Sequence, residues 1–318
     1  MTQGSTAASE LVGLSEIRET VERLPEAVQH TPLFRSHGLS ELLGTNAWVK
    51  CEMFQPSGSF KVRGALNRIA SLTDNERSDG VIAFSAGNHA MAVAYAARQQ
   101  GIVPKICMPA HAVQFKVDAV KALGADLELV EGDLVARVHE LIDEHGYTLV
   151  HPFGDREILA ATGTIGVEIT EAIPDVTTVI VPVGGGGLIS GIAAAVKLHN
   201  PRCRVIGVEP STANVMTESL HHGSAQTLTS AKSMADGLTA PLTTELNLAH
   251  VQAFVDEVVV VPEEDVRSMW EATVRATRLA IEPSAAVGVG AVRDGLIDVD
   301  EDVKVCFIMC GANTDLLP

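Results

Sequence analysis

The sequence predicts an α/β fold: two interleaved three-layer domains with mostly parallel sheets. Short Val/Ile-rich runs alternate with amphipathic runs of helical period, the pattern of parallel strands joined by helical crossovers. Of the 318 residues 46% are hydrophobic but only 4% aromatic, so the core has to be built from aliphatic side chains. Glycines also recur where an apolar run gives way to a helical one, as tight βα turns require.

In order, Val81–Ser85 reads as a strand, His89–Gln100 as a helix stopped by Gly101, and Ile102–Met108 as a strand. Val113–Leu123 reads as a helix ended by Gly124, Asp126–Val130 as a strand, Leu134–Glu144 as a helix before Gly146, and Thr148–His151 as a strand. A second series follows: helix Glu157–Ile173, stopped by Pro174, strand Thr178–Val183, helix Leu188–Leu198 and strand Val205–Glu209. Strand Glu257–Val261, helix Glu264–Ala280 and strand Val303–Met309 complete it, while the polar stretch 211–248 reads as irregular, a lid or an interface segment. The first series is expected as a small inserted domain, 77–150, and the remainder, 1–76 and 151–318, as the large domain that holds a cofactor.

A net charge of −17 argues against nucleic acid and anionic membrane as partners, so any anion site must be local. The polar start, Met1 to Glu10, lacks the apolar core of a signal peptide, and glycine or proline interrupts every long apolar run. The five cysteines (51, 107, 203, 306, 310) show neither disulfide nor zinc spacing. Cys306 and Cys310 would lie roughly 13 Å apart on an extended strand, too far to share a metal. The histidines form no recognisable metal pattern. A reduced cytoplasmic protein with no bound metal is the plain expectation.

Three segments point to chemistry. In Gln55-Pro-Ser-Gly-Ser-Phe-Lys-Val-Arg-Gly-Ala65, Lys61 follows a tight turn, sits beside Phe60 and precedes a helical run. Alone, such a lysine is ordinary surface charge; sheltered, its lowered pKa suits Schiff-base chemistry. Gly184, Gly185, Gly186 and Gly187 lie between a strand and a helix, where backbone N–H groups and the helix N-terminus can cradle a phosphate. A dinucleotide loop competes, because Glu209 stands where a ribose-binding acid would, although no frame gives GxGxxG. Ser85-Ala-Gly-Asn-His89 occupies the equivalent junction in the first series. Its amides can hold a substrate carboxylate, and Asn88 can equally be a helix N-cap.

Together these segments resemble a family. Ser59-Phe-Lys-x-Arg-Gly-Ala65, Ser85-Ala-Gly-Asn-His89, His151-Pro-Phe153, the Val181–Leu188 glycine loop, Gly207-Val-Glu-Pro210, Ala235-Asp-Gly237, Glu282-Pro-Ser284 and Gly311-Ala-Asn313 are similar, in order, to the threonine/serine dehydratase and serine racemase group. These are fold-type II (tryptophan-synthase-β-like) pyridoxal-phosphate enzymes, and the resemblance runs from about His30 to the C-terminus. It implies pyridoxal 5'-phosphate as cofactor and Lys61 as the catalytic Schiff-base lysine that moves the proton at Cα. Phe60 would pack near the ring, Asn88 would bond the 3-hydroxyl, and Gly184–Gly187 would hold the phosphate. Ser85, Gly87, Asn88 and His89 would bracket the substrate carboxylate, chiefly through the backbone. Cys310 stands where bacterial relatives place a serine against the pyridine nitrogen; as a weak donor it would leave that nitrogen unprotonated and favour prompt loss of a β-leaving group.

Three departures sharpen the expectation. Ala86 replaces the serine that serves racemases as the acid/base on the far face, which disfavours racemisation. Val215 replaces an aspartate of the divalent-cation site that Glu209 and Ala213 share in some relatives, so Glu209 is expected as a cap-type acid without magnesium. Thr162-Gly163-Thr164 replaces a more usual Gln-Gly-Thr. The expected activity is an ammonia-lyase acting on a small β-hydroxy amino acid, threonine or serine first, without isoleucine feedback because the chain ends just past Asp315. Relatives are often dimers, which implies a homodimer. The alternatives are a dehydratase of hydroxyaspartate or another hydroxylated amino acid, a β-replacement synthase, an amino-acid racemase, an NAD-binding oxidoreductase and a catalytically silent binding protein.

Overall fold

The computed structural model describes residues 11–315, so the polar start read at Met1 to Glu10 lies outside the described residues. The chain enters through α1 (Leu14–Arg23), β1 (Leu33–Arg35), α2 (His37–Leu43) and β2 (Asn46–Lys50), then α3 (Lys61–Ala70) and α4 (Asp74–Asp79). A βα series follows: β3 (Val81–Phe84), α5 (Asn88–Gln99), β4 (Lys105–Pro109), α6 (Gln114–Ala122), β5 (Asp126–Val130), α7 (Leu134–His145) and β6 (Thr148–Leu149). The second series is α8 (Arg156–Ala172), β7 (Thr178–Pro182), α9 (Gly187–His199) and β8 (Arg204–Pro210). The chain then runs through α10 (Val215–His222), α11 (Glu245–Phe254), β9 (Glu257–Val261), α12 (Val266–Thr277), α13 (Val287–Arg293) and β10 (Lys304–Ile308).

Two sheets result. Six strands are ordered β1-β2-β10-β7-β8-β9, antiparallel only at the β1–β2 edge. Four strands are ordered β5-β4-β3-β6, all parallel. The smaller sheet is nested, since all its strands fall between β2 and β7 in the chain. Pleating divides its side chains between two faces. Val81, Ala83, Ile106 and Met108 pack under α3, α5 and α6, while Ile82 and Cys107 pack with Val138 and Leu141 of α7. That gives the three layers, each fully buried Val, Leu or Ile contributing about 1.5–3 kcal/mol.

Local chemistry explains where elements start and stop. Asp133 caps α7 by accepting from the amides of Val135 and Ala136, both at 3.0 Å, and Gly146 ends it in the left-handed region at φ 76°. β4 begins at Lys105 rather than Ile102, with Val103 exposed on the preceding turn. The expected helix Glu264–Ala280 opens as a 3-10 turn, Glu263–Asp265, and stops at Arg278, which takes a positive φ of 61°. The stretch expected to be irregular holds α10 and the start of α11. α10 is capped by Glu209 and α11 by Thr244, whose hydroxyl accepts from the Asn247 amide. The first cap comes from the end of the preceding strand β8, where Glu209 was expected as a cap-type acid.

Candidate active site

Lys61 is the first residue of α3, at the place where the chain folds back against the end of β10. The Phe60 amide donates to the Cys310 carbonyl at 3.0 Å, and Ser59 bridges Gly311. Lys61 Nζ donates to the Pro152 carbonyl at 2.6 Å and lies 5.1 Å from the Phe60 ring centre and 5.9 Å from that of Phe153. Burial disfavours its charged form and brings the amine down to about 8.

Two residues further on, Arg63 anchors the same helix. Its Nε and Nη2 each donate to Glu52 at 2.8 Å, and its Nη1 to Glu168 at 2.6 Å and to Thr164 at 3.0 Å. Buried Lys50 completes the cluster, ion-paired to Glu168 and donating to the Thr31 carbonyl at 2.7 Å. Burial works against ionising Glu52, but the Arg63 guanidinium beside it holds its carboxyl below the usual range. α3 is thus clamped to the turn that follows β2 and to α8 by matched charges.

The glycine loop joins β7 to α9. Gly186 takes φ 95°, which only glycine adopts freely. A Cβ at Gly185 would fall 2.5 Å from the Phe153 ring, and one at Gly187 would fall 2.8 Å from the Phe153 carbonyl. The loop's carbonyls are tied back: Gly185 O accepts from Asn247 Nδ2 at 2.7 Å and from Thr243 Oγ1 at 3.0 Å, and Gly187 O from Thr162 Oγ1 at 2.8 Å. Thr162, one of the sequence departures, therefore braces the loop. Among the described residues no acceptor meets the amides of Gly184, Gly185 or Gly186. Phe60, Lys61, Asn88, Gly184–Gly187, Glu282 and Cys310 line one cavity.

The 85–89 loop divides its amides. Ser85 N donates to Cys107 O at 3.1 Å and Gly87 N to Ser85 Oγ at 3.0 Å, so both are used internally. The amides of Ala86, Asn88 and His89 meet no acceptor among the described residues. Gly87, not Asn88, occupies the N-cap position of α5. The Asn88 side chain points elsewhere: its Nδ2 donates to both oxygens of Glu282 and its Oδ1 accepts from Asn313 Nδ2 at 2.9 Å. The His89 ring is buried, 2.8 Å from Val150 O, and burial brings it down to about 3, so it is neutral.

Glu282, Phe153 and Asn313 were given no role by sequence reasoning. Their only signal is that each lies within one of the matching motifs. Burial pushes the Glu282 carboxyl up to about 7, against the pull of the Asn88 bond. Its Oε1 lies 3.9 Å from Cys310 Sγ, and burial raises that thiol well above its ordinary value. Glu209 is spent elsewhere. Its oxygens accept from Met216 N at 2.8 Å, Thr217 N at 2.9 Å and Thr217 Oγ1 at 2.8 Å, capping α10. Among the described residues no three His, Cys, Asp or Glu side chains gather to hold a metal ion.

Residues 24–311 match the family model described as pyridoxal-phosphate dependent enzyme. The chain belongs to that family. Within it, the chain is 40% identical over 310 residues to an L-threonine ammonia-lyase of Thermotoga maritima, covering 96% of this chain and 77% of that one. It is 37% identical to a serine racemase of Oryza sativa, covering 95% of this chain and 91% of the relative. The solved structure of maize serine racemase superposes with a TM-score of 0.90 at 35% identity, covering 96% of this chain and 94% of that one. The fold is therefore the fold-type II architecture, and the cofactor is pyridoxal 5'-phosphate.

The cavity fits that cofactor. A buried amine of lowered pKa stands opposite a loop whose free amides suit a phosphate and whose glycines leave the room that Cβ atoms would fill. The dinucleotide reading of the loop gives way, since the acid it needed at Glu209 is consumed as a helix cap.

Proposed function

We propose that the protein is a pyridoxal-phosphate ammonia-lyase that eliminates water from a small β-hydroxy amino acid, threonine or serine first, and, once hydrolysis has returned that water, leaves a 2-oxo acid and ammonia. The observation that carries this reading is Lys61 Nζ, buried at the cavity that also holds the glycine loop and Asn88. The lyase names of relatives such as the Thermotoga enzyme support it.

When bound, the cofactor supplies an electron-withdrawing ring that acidifies the proton on substrate Cα. Gly184–Gly187 would hold its phosphate through their amides, and Asn88, locked by Glu282 and Asn313, would bond its 3-hydroxyl. Cys310, a neutral thiol, would give the ring nitrogen only a weak partner. The amides of Ala86, Asn88 and His89 hold the substrate carboxylate, which fixes Cα next to Lys61. Lys61 Nζ, uncharged above about 8 and partly so below, takes the Cα proton. The β-hydroxyl departs with a proton as water, and hydrolysis of the released enamine gives the 2-oxo acid and ammonia.

Ala86 carries no group able to deliver a proton to the opposite face of Cα, which favours elimination over the racemase alternative. A β-replacement synthase would need an added nucleophile before the hydroxyl could be replaced. Residues 77–150 act as the inserted unit carrying the carboxylate loop, and the active species is a homodimer in the cytoplasm. The deciding experiment is a panel of L-threonine, L-serine and 3-hydroxyaspartate with the purified, cofactor-loaded protein. Ammonia and 2-oxo acid in equal amounts from threonine or serine support the reading. Product from hydroxyaspartate alone, or D-serine without ammonia, overturns it.

A further inference from the structure

The carboxylate loop has a charge problem. A substrate carboxylate brings a negative charge into a cavity already lined by Glu282, in a chain of net charge −17. The loop's own histidine, His89, is neutral, and burial likewise brings neighbouring His151 down to about 4. Lys61 is engaged with the cofactor. Backbone amides alone must then hold the anion, unless another cation reaches the loop.

One does. Lys116 projects from α6 and lies along Gly87: a Cβ at that glycine would fall 3.0 Å from Lys116 Cδ and 3.1 Å from Lys116 Nζ. The end of the lysine side chain therefore lies directly against the loop at Gly87. The Lys116 side chain is only 5% exposed, and it is ion-paired with Asp236, which is 47% exposed. Asp236 belongs to the 3-10 turn Asp236–Leu238 on the other side of the cleft, pinned where Gly237 N donates to Ser284 Oγ at 3.0 Å.

We propose that Lys116 is a substrate-binding residue whose ammonium pairs with the substrate carboxylate on the 85–89 loop, exchanging Asp236 for it. The asymmetry in exposure makes the exchange feasible. A buried lysine left unpaired would be costly, whereas Asp236 can turn to water with little loss. Lys116 thus keeps an anionic partner throughout, internal before binding and external after it. The proposal shares with the lyase reading only the placing of an amino-acid carboxylate at this loop.

The test is an equilibrium titration of the holoenzyme's visible absorption with L-alanine, which has the carboxylate but no β-leaving group, and with L-alaninamide, which lacks the carboxylate. Lys116→Met is expected to weaken L-alanine by about tenfold or more, the scale of a lost charge-assisted contact, and to change L-alaninamide by less than about twofold. Asp236→Asn, which removes the competing anion, is expected to tighten L-alanine by about two- to fivefold. Wild-type L-alanine binding in Lys116→Met, or equal weakening of both ligands, overturns the proposal. Should Lys116→Met fail to fold, Asp236→Asn decides alone, and unchanged or weaker L-alanine binding overturns it. The titration needs no turnover, so failure of the lyase reading shows separately, as wild type that binds L-alanine yet releases no ammonia from threonine or serine.

Discussion

Asn88 and Glu282, 194 residues apart in the chain, meet in the cavity, with the amide Nδ2 donating to the two carboxylate oxygens at 3.0 and 3.1 Å. With Asn313 holding Oδ1 from the other side, the amide has one orientation and cannot flip.

That pairing gives Glu282→Gln a pH signature. In the folded protein the Glu282 carboxyl is raised from 4.5 to about 7 by burial, so the native state holds this proton more tightly than the unfolded chain. Its contribution to stability is then greatest below pH 4.5 and is lost as pH rises to about 7, up to about 3 kcal/mol. In the cofactor-free protein, the stability gained by Glu282→Gln relative to wild type should grow across that window. Urea denaturation at several pH values measures it; a pH-independent difference contradicts it.

On the proposed role, Lys61 would set the pH dependence of cofactor loading. Only the uncharged amine can attack the cofactor's aldehyde, and burial lowers Lys61 from 10.5 to about 8. The rate at which the cofactor-free protein gains visible absorption should rise with pH and level off just above 8. A rate still climbing steeply at pH 10 would mean that the lysine keeps its ordinary basicity.

Gly187→Ala drives a Cβ to 2.7 Å from Phe153 Cβ and 2.8 Å from its carbonyl. The overpacking should cost about 1–3 kcal/mol and lower cofactor affinity by about tenfold or more as the loop shifts. Gly223→Ala is the control. Its φ of 71° carries a strain of about 1–2 kcal/mol, but nothing lies within 4 Å, so cofactor affinity should not change. Thermal melts and cofactor titration separate the two effects.

Arg63→Ala leaves two carboxylates, Glu52 and Glu168, with Lys50 as their remaining cation. Removing one partner of a buried charge cluster costs about 3–5 kcal/mol, and the N-terminus of α3, with Lys61 on it, loses its clamp. Arg63→Lys restores the charge but cannot reach both carboxylates with a planar fork, so an intermediate loss is expected. Denaturant midpoints rank the three proteins.

The parts of this molecule that were legible in sequence are those set by local pattern. β5 and β9 begin and end where alternation and turns place them, and Asp133 and Gly146 bound α7 through their own side chain or φ. Lys61 and the glycine loop stood out because their chemistry is written in adjacent residues. What stayed hidden depends on groups meeting across the fold. Glu282 gains its place only by facing Asn88, and Lys116 faces Asp236 across the cleft.

The central claim is that Lys61 carries the cofactor. Borohydride reduction of the holoenzyme followed by peptide mass mapping tests it most directly. A pyridoxyl-phosphate adduct on Lys61, absent in Lys61→Ala, is the predicted result; an adduct on another lysine, or none, would contradict the account.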